Sequence, residues 1–181
     1  MSPVYDAILN EEVGGADAPR LPIIGHLGRA IYLHGTEAQK QRFLPPLLSG
    51  QERWCQGFSE PDAGSDVASL RTRADRVDDG YVVNGQKMWT SLAMDSDWCM
   101  LLARTDPDAP RHRGISCLLV SMRTQGVTVQ PIVLATGSTE TCLTFWDNVA
   151  VPADQLLGPP GGGWGIALTT LSAGLFCPGG P

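Results

Sequence analysis

The apolar residues change their spacing at Trp54. Before it they recur at helical intervals, and after it they alternate. A chain with that switch folds as helices followed by strands, which makes it α+β rather than a run of βαβ units. From Leu21 to Leu33, the residues Ile23, Ile24, Leu27, Ala30 and Ile31 form one stripe of period 3.6. Tyr5, Ile8 and Leu9 suit one face of an earlier helix. His34-Gly35 predicts a helix end with glycine in the left-handed position beyond it. Thr36-Glu37-Ala38-Gln39 fits a capping box, with the Thr36 hydroxyl taking an orphan N–H and Gln39 reaching back. The helix it opens is expected to stop near Leu44, because Pro45-Pro46 removes two backbone donors.

Beyond Trp54, Leu70, Thr72 and Ala74 alternate with Arg71 and Arg73. Asn84-Gly85 lies between the strand-like runs Tyr81-Val82-Val83 and Gln86-Lys87-Met88-Trp89 and predicts a hairpin turn, since Asn and Gly tolerate positive φ. Four further short strands are expected over 98–103, 115–120, 127–134 and 142–146. Frequent turns between short strands point to an antiparallel barrel or sandwich. The 21 Gly and 14 Pro fit that reading. Gly158 to Gly163 reads as a linker, Trp164 to Leu171 as the opening of another helix, and Ser172 to Pro181 as a tail that no helix crosses. The expected domains are therefore a partial helical segment at 1–53, a β-barrel domain at 54–158, and a linker with a truncated helix at 159–181.

A net charge of −6 argues against a nucleic-acid footprint across the chain. Arg71, Arg73 and Arg76 are the one local basic cluster, which a solvated strand face explains. No stretch approaches the ~18–20 apolar residues of a membrane span. The first residues carry neither a basic n-region nor an apolar core, so no signal peptide is expected. Five scattered cysteines without a C-x-x-C pair read as free thiols, with no metal site and a cytoplasmic location.

Two segments carry the chemistry. In Gln56-Gly57-Phe58-Ser59-Glu60-Pro61-Asp62-Ala63-Gly64-Ser65-Asp66, Pro61 stiffens a turn and Gly64 allows close approach or positive φ. Ser59 and Ser65 are short donors for phosphate or carbonyl oxygens. A turn punctuated by capping serines is the plainer alternative. In Asn84-Gly85-Gln86-Lys87-Met88-Trp89-Thr90-Ser91, Trp89 offers a flat face, and Thr90 and Ser91 offer hydrogen bonds to a ring edge. A core tryptophan in an ordinary strand is the alternative there.

Taken together, the two segments resemble the acyl-CoA dehydrogenase family. Arg113-Gly114-Ile115-Ser116 with Leu118-Leu119-Val120 looks like its next strand, and Phe145-Trp146-Asp147-Asn148-Val149 with Val151-Pro152 like the strand that closes its middle domain. Upstream, His34-Gly35-Thr36-Glu37 and Gln41-Arg42-Phe43-Leu44-Pro45 are similar to its last N-terminal helices, and Gly163-Trp164 to its C-terminal entry. The resemblance implies FAD held between a β-barrel domain and helical domains, and oxidation of the Cα–Cβ bond of an acyl-CoA thioester. It implies cofactor contacts from Gln56, Phe58, Ser59, Gly64, Ser65, Trp89, Thr90 and Ser91, with Ser65 also near the acyl-CoA. Electrons would leave to an electron-transferring flavoprotein, and the chain would form homo- or hetero-oligomers.

The family's catalytic glutamate lies in a C-terminal helical domain with no counterpart in these 181 residues, so no base is assigned. Glu60 and Glu140 are poor substitutes, because a base needs geometry before pKa. The chain alone is therefore expected to bind FAD weakly and to turn over little. A second reading is a non-catalytic partner that associates with a complete subunit. Leu143 and Thr144 in Glu140-Thr141-Cys142-Leu143-Thr144-Phe145 stand where relatives often carry an acid and a bulky apolar residue.

Overall fold

The computed structural model describes residues 25–174 together with Ile8, Glu11, Glu12 and Gly15. Of the first expected helix, Ile8 is helical and exposed, while Tyr5 and Leu9 fall outside the described residues, as do Leu21, Ile23, Ile24 and Cys177–Pro181. Helix α1 spans Gly25–His34 and α2 spans Glu37–Leu48. The capping box forms: Gln39 N–H donates to Thr36 Oγ1 at 3.2 Å, and Thr36 N–H donates to Gln39 Oε1 at 3.0 Å. The Gln39 amide also donates to the Asp154 and Leu156 carbonyls at 2.7 and 2.9 Å, so the cap doubles as a tether between α2 and the sheet.

Two helix-end expectations are corrected. Helix α2 does not stop at Leu44 but runs through Pro45 and Pro46. The carbonyls that lose their i+4 donors belong to Gln41 and Arg42, both exposed residues, where solvent is at hand to supply a donor. Leu47, fully buried, anchors the final turn. Gly35 does end α1, but not through a positive φ. Its N–H reaches the Ile31 carbonyl at 2.8 Å, and a Cβ built there would sit 2.5 Å from that oxygen. Gly35→Ala is therefore expected to destabilise the fold by more than about 1 kcal/mol, read as a lower urea midpoint at unchanged slope.

The α+β class stands, with a mixed and open sheet in place of a closed antiparallel barrel. Its strands are β1 Trp54–Gly57, β2 Arg73–Val77, β3 Gly80–Ser91, β4 Trp98–Arg104, β5 Ile115–Ser121, β6 Val127–Pro131, β7 Thr141–Pro152 and β8 Leu156–Leu157. The order is β6-β7-β3-β2-β4-β5-β8, with β1 parallel beside β4. Strands β2 and β4 meet, also in parallel, only at Arg73 and Arg104. The sheet folds over at that narrow join.

Period-two alternation sends the two faces of β4 into two cores. Met100 and Leu102 join Leu27, Ile31, Phe43 and Leu47 of the helices. Cys99, Leu101 and Ala103 join Tyr81, Val83, Trp146 and Val149 inside the folded sheet. Strands buried on both faces read as continuous apolar runs, which is how β4 and β5 appear in the sequence. Phe43 packs edge-on against Trp54 and Trp98, at centroid distances of 5.4 and 4.9 Å, and holds α2 on β1 and β4.

Asn84-Gly85 is not a hairpin turn. Strand β3 runs straight through it, and the β2–β3 turn falls at Asp78-Asp79 instead. Gly85 marks a bulge, where the register with β7 shifts between Val83 and Gly85. The last helix, α3, spans Gly163–Gly174 and so continues past Leu171 through Ser172. It docks on α1, where the His34 ring and Thr169 Oγ1 share a hydrogen bond of 2.9 Å. Among the described residues no helix is long and apolar enough to cross a membrane. Cys55, Cys99, Cys117 and Cys142 are free and buried, and burial pushes the Cys117 thiol well up.

Candidate functional site: a cleft walled by two turn motifs

The two chemistry-bearing segments meet through one buried ion pair. Lys87 on β3 is fully buried, and its Nζ donates to Glu60 Oε1 at 2.8 Å and to the Phe58 carbonyl at 3.2 Å. Glu60 is also buried, and it accepts the Arg71 and Thr72 backbone N–H groups at 2.7 and 2.8 Å. The Met88 N–H closes the join by donating to the Ser59 carbonyl at 2.8 Å. Burial pushes the Lys87 ammonium down, and Glu60 resists that shift. Burial alone would raise the Glu60 carboxyl, but Lys87 and the Thr72 and Arg71 donors outweigh it and hold it below the ordinary value near 4.5. Glu60 is thus a structural clasp with its oxygens occupied.

A second bulge in β3, between Lys87 and Thr90, sets the direction of Trp89. The residue takes φ of 60°, and its indole is 52% exposed. A bulky residue in the left-handed region costs of the order of 1–3 kcal/mol, a strain that persists only when its surroundings impose it. Such bulges re-aim side chains. Here the bulge delivers an aromatic face to a cleft of about 290 Å³.

Gln56, Phe58, Ser59, Trp89 and Ser91 all line that cleft. Gly64, Ser65 and Thr90 do not. Thr90 is wholly buried, and its hydroxyl has no partner among the described residues. Gly64 and Ser65 lie exposed on the Glu60–Ala63 turn's far side. Gly64 does not have positive φ, and a Cβ there would meet nothing within 4 Å, so no feature of this chain's own packing requires a glycine. Glu140 is exposed, and its carbonyl accepts the Leu92 N–H at 2.7 Å.

Sequence reasoning missed His26, Leu27, Trp54 and Leu92 as cleft walls. His26 and Leu27 arrive by the docking of α1, which no local pattern reports. Trp54 and Gln56 are two apart on β1, an alternation that could have paired them. Burial pushes the His26 imidazole down, against a partial lift from Gln56. His26 Nδ1 and Trp54 Nε1 are buried without a partner among the described residues. The lining is thus apolar in Phe58, Met88, Trp89 and Leu92 and polar in Ser59, Ser91 and Gln56. That suits a flat heteroaromatic ring with apolar faces and a hydrogen-bonding edge.

The comparisons with known proteins agree with one another. The family model described as acyl-CoA dehydrogenase, middle domain, matches residues 55–149, and that described as acyl-CoA dehydrogenase, N-terminal domain, matches residues 1–51. The chain is 45% identical over 175 residues to the acyl-CoA dehydrogenase IpdE1 of Mycobacterium tuberculosis, covering 95% of this chain and 46% of that one. It is 44% identical to the acyl-CoA dehydrogenase FadE34 of the same organism, covering 94% of this chain and 24% of that one. The chain thus spans less than half the length of these curated relatives. Among solved structures, the Tcur3481-Tcur3483 steroid ACAD superposes with a TM-score of 0.89 at 37% identity, covering 97% of this chain and 46% of that one. The ChsE4-ChsE5 complex from Mycobacterium tuberculosis gives 0.85 at 38% identity, covering 95% and 45%. With two family domains matched in chain order and such identity along nearly its whole length, this protein belongs to the acyl-CoA dehydrogenase family.

Proposed function

We propose that this chain supplies the flavin-facing wall of an FAD-dependent acyl-CoA dehydrogenase, divided at about residues 54 and 158 into helical, sheet and helical parts. The carrying observation is Trp89, a half-exposed indole on a left-handed bulge in the same cleft as Ser59 and Ser91. FAD, when bound, supplies the capacity to accept a hydride from the β-carbon of the acyl thioester. Trp89, Phe58 and Met88 offer apolar surface to the ring and exclude water from it. Ser59, Ser91 and Gln56 offer hydrogen bonds to its polar edge. Gly64 and Ser65 stand outside the cleft; they remain proposed cofactor contacts, and Ser65 is also proposed to lie near the acyl-CoA.

No residue of the chain is assigned the proton-abstracting role. Glu60 is excluded by its clasp with Lys87. Trp89 is half-exposed among the described residues, which leaves room for further protein to complete the proposed site. Assembly with further subunits is part of the proposal, and the ChsE4-ChsE5 structure is itself a complex. Electron-transferring flavoprotein as the acceptor and a cytoplasmic location complete the reading.

Anaerobic titration with acyl-CoA tests the chemistry. The FAD-loaded chain alone is expected to keep its visible flavin band. The same chain assembled with a family subunit that contributes a base is expected to lose the band in proportion to substrate. A band unmoved by acyl-CoA in the assembled protein counts against the dehydrogenase reading.

A further inference from the structure

The imidazole in the cleft has no part in the flavin reading. His26 stands in the first turn of α1 and shares one wall of the cleft with Leu27, Trp54 and Gln56. We propose that His26 is a specificity residue, which makes the cleft select an acyl group bearing a hydroxyl over a plain hydrocarbon chain. The proposal rests on the acyl-CoA reading above, whereas the choice of a hydroxyl rests on this wall alone.

The wall carries more hydrogen-bonding capacity than the described residues use. His26 Nδ1 and Trp54 Nε1 are both buried without a partner among them. Trp54 is only 7% exposed, and its ring packs on Phe43 and Trp98 at centroid distances of 5.4 and 5.7 Å, which holds its N–H away from bulk water. His26 and Gln56 are half-buried, so part of each still meets solvent. A hydrocarbon chain laid over them strips that water and returns no hydrogen bond. Buried polar groups left unpaired are costly, and an oxygen on the entering group removes the cost.

The kind of oxygen follows from charge. Among the described residues no Lys, Arg, Asp or Glu lines the cleft. Burial pushes the His26 imidazole below its ordinary value near 6.5, against the lift from Gln56, so the ring is neutral at neutral pH. A carboxylate would therefore meet no fixed cation on this wall. A neutral imidazole offers one N–H and one lone pair, and a carboxamide offers both kinds of partner. A hydroxyl donates and accepts, so it pairs with His26 in either tautomer. Leu27, Phe58 and Leu92 line the same cleft, and in such apolar surroundings a hydrogen bond counts for more than in water. A site built to bond a hydroxyl rejects the analogue that lacks it far more strongly than an apolar pocket counts methylenes.

Calorimetric titration of the full chain, in excess FAD, with dodecanoyl-CoA and each of its singly hydroxylated isomers tests this. At least one isomer is expected to bind about tenfold more tightly than the parent. H26L is expected to abolish that preference, and H26Q, which keeps a donor and an acceptor, to retain most of it. His26 is half-buried and already has an unpartnered nitrogen, so both variants are expected to melt with the wild type. Equal affinity for the parent and every isomer, or a preference that survives in H26L, overturns the specificity role and leaves the acyl-CoA reading standing. The analogue with a terminal carboxylate is expected to bind no more tightly than the parent, and tighter binding overturns the hydroxyl assignment. FAD is expected to bind H26L and wild type equally. A loss of FAD affinity in H26L gives His26 to the flavin and overturns the proposal. Binding of no thioester at all defeats the acyl-CoA reading and this inference with it.

Discussion

Replacing Lys87 with methionine is expected to destabilise the chain by ~3–5 kcal/mol, the cost of leaving a buried charge without its partner. A domain of this size is stable by only ~5–15 kcal/mol, so the loss is a large fraction of the total. The reason is geometric. Lys87 Nζ holds Glu60 at 2.8 Å and the Phe58 carbonyl at 3.2 Å. Without it Glu60 stays buried with the Thr72 and Arg71 N–H groups as its sole donors. The K87M/E60L double variant removes both charges and is expected to lose less than the two single changes summed. Urea denaturation of the four proteins reads the cycle, and additive losses would show that the pair does not act as a unit.

The same pair predicts an acid limb. The Glu60 carboxyl is held below its ordinary value near 4.5. A depressed carboxyl contributes stability that is fully present above the ordinary value and is lost as pH falls through the depressed one. Wild-type stability is therefore expected to fall as pH drops below the ordinary carboxylate value, more steeply than in the K87M variant, whose clasp is already broken.

Trp89→Ala is expected to act in the opposite manner, with a large effect on binding and little on stability. The indole is 52% exposed, so its truncation creates no cavity. It also removes a bulky side chain from a backbone at φ of 60°, although alanine keeps most of that strain. Stacking of an aromatic pair is worth ~0.5–1.5 kcal/mol beyond the area it buries, so FAD affinity is expected to drop about tenfold. Fluorescence titration reads the affinity, and the melting temperature, expected to move little, separates this from unfolding.

These two residues mark where the sequence was readable and where it was not. The capping box at Thr36 and Gln39 was legible because both partners are local. The switch of period at Trp54 was legible because it reflects the geometry of each element. The proline pair within α2 was misread, because the exposure of the Gln41 and Arg42 carbonyls is set by tertiary packing. Asn84-Gly85 was misread for a related reason. The pair has turn chemistry, but Asp78-Asp79 already makes the turn, and the glycine serves a bulge.

Within the site, the motifs pointed to five of the cleft's residues, yet not to what joins them. A lysine in a strand reads as solvent-facing. Only the return of Glu60 across the cleft wall shows why Lys87 is buried. Thr90 sits between two exposed residues, and the bulge after Lys87 turns it inward, away from the cleft.

Equilibrium dialysis of the whole chain against FAD, with the visible flavin spectrum recorded, tests the central claim most directly. Weak but saturable retention is predicted, with a shifted flavin band and a matching quench of tryptophan fluorescence that W89A removes. No retention at any FAD concentration, or retention that W89A leaves unchanged, would contradict the account.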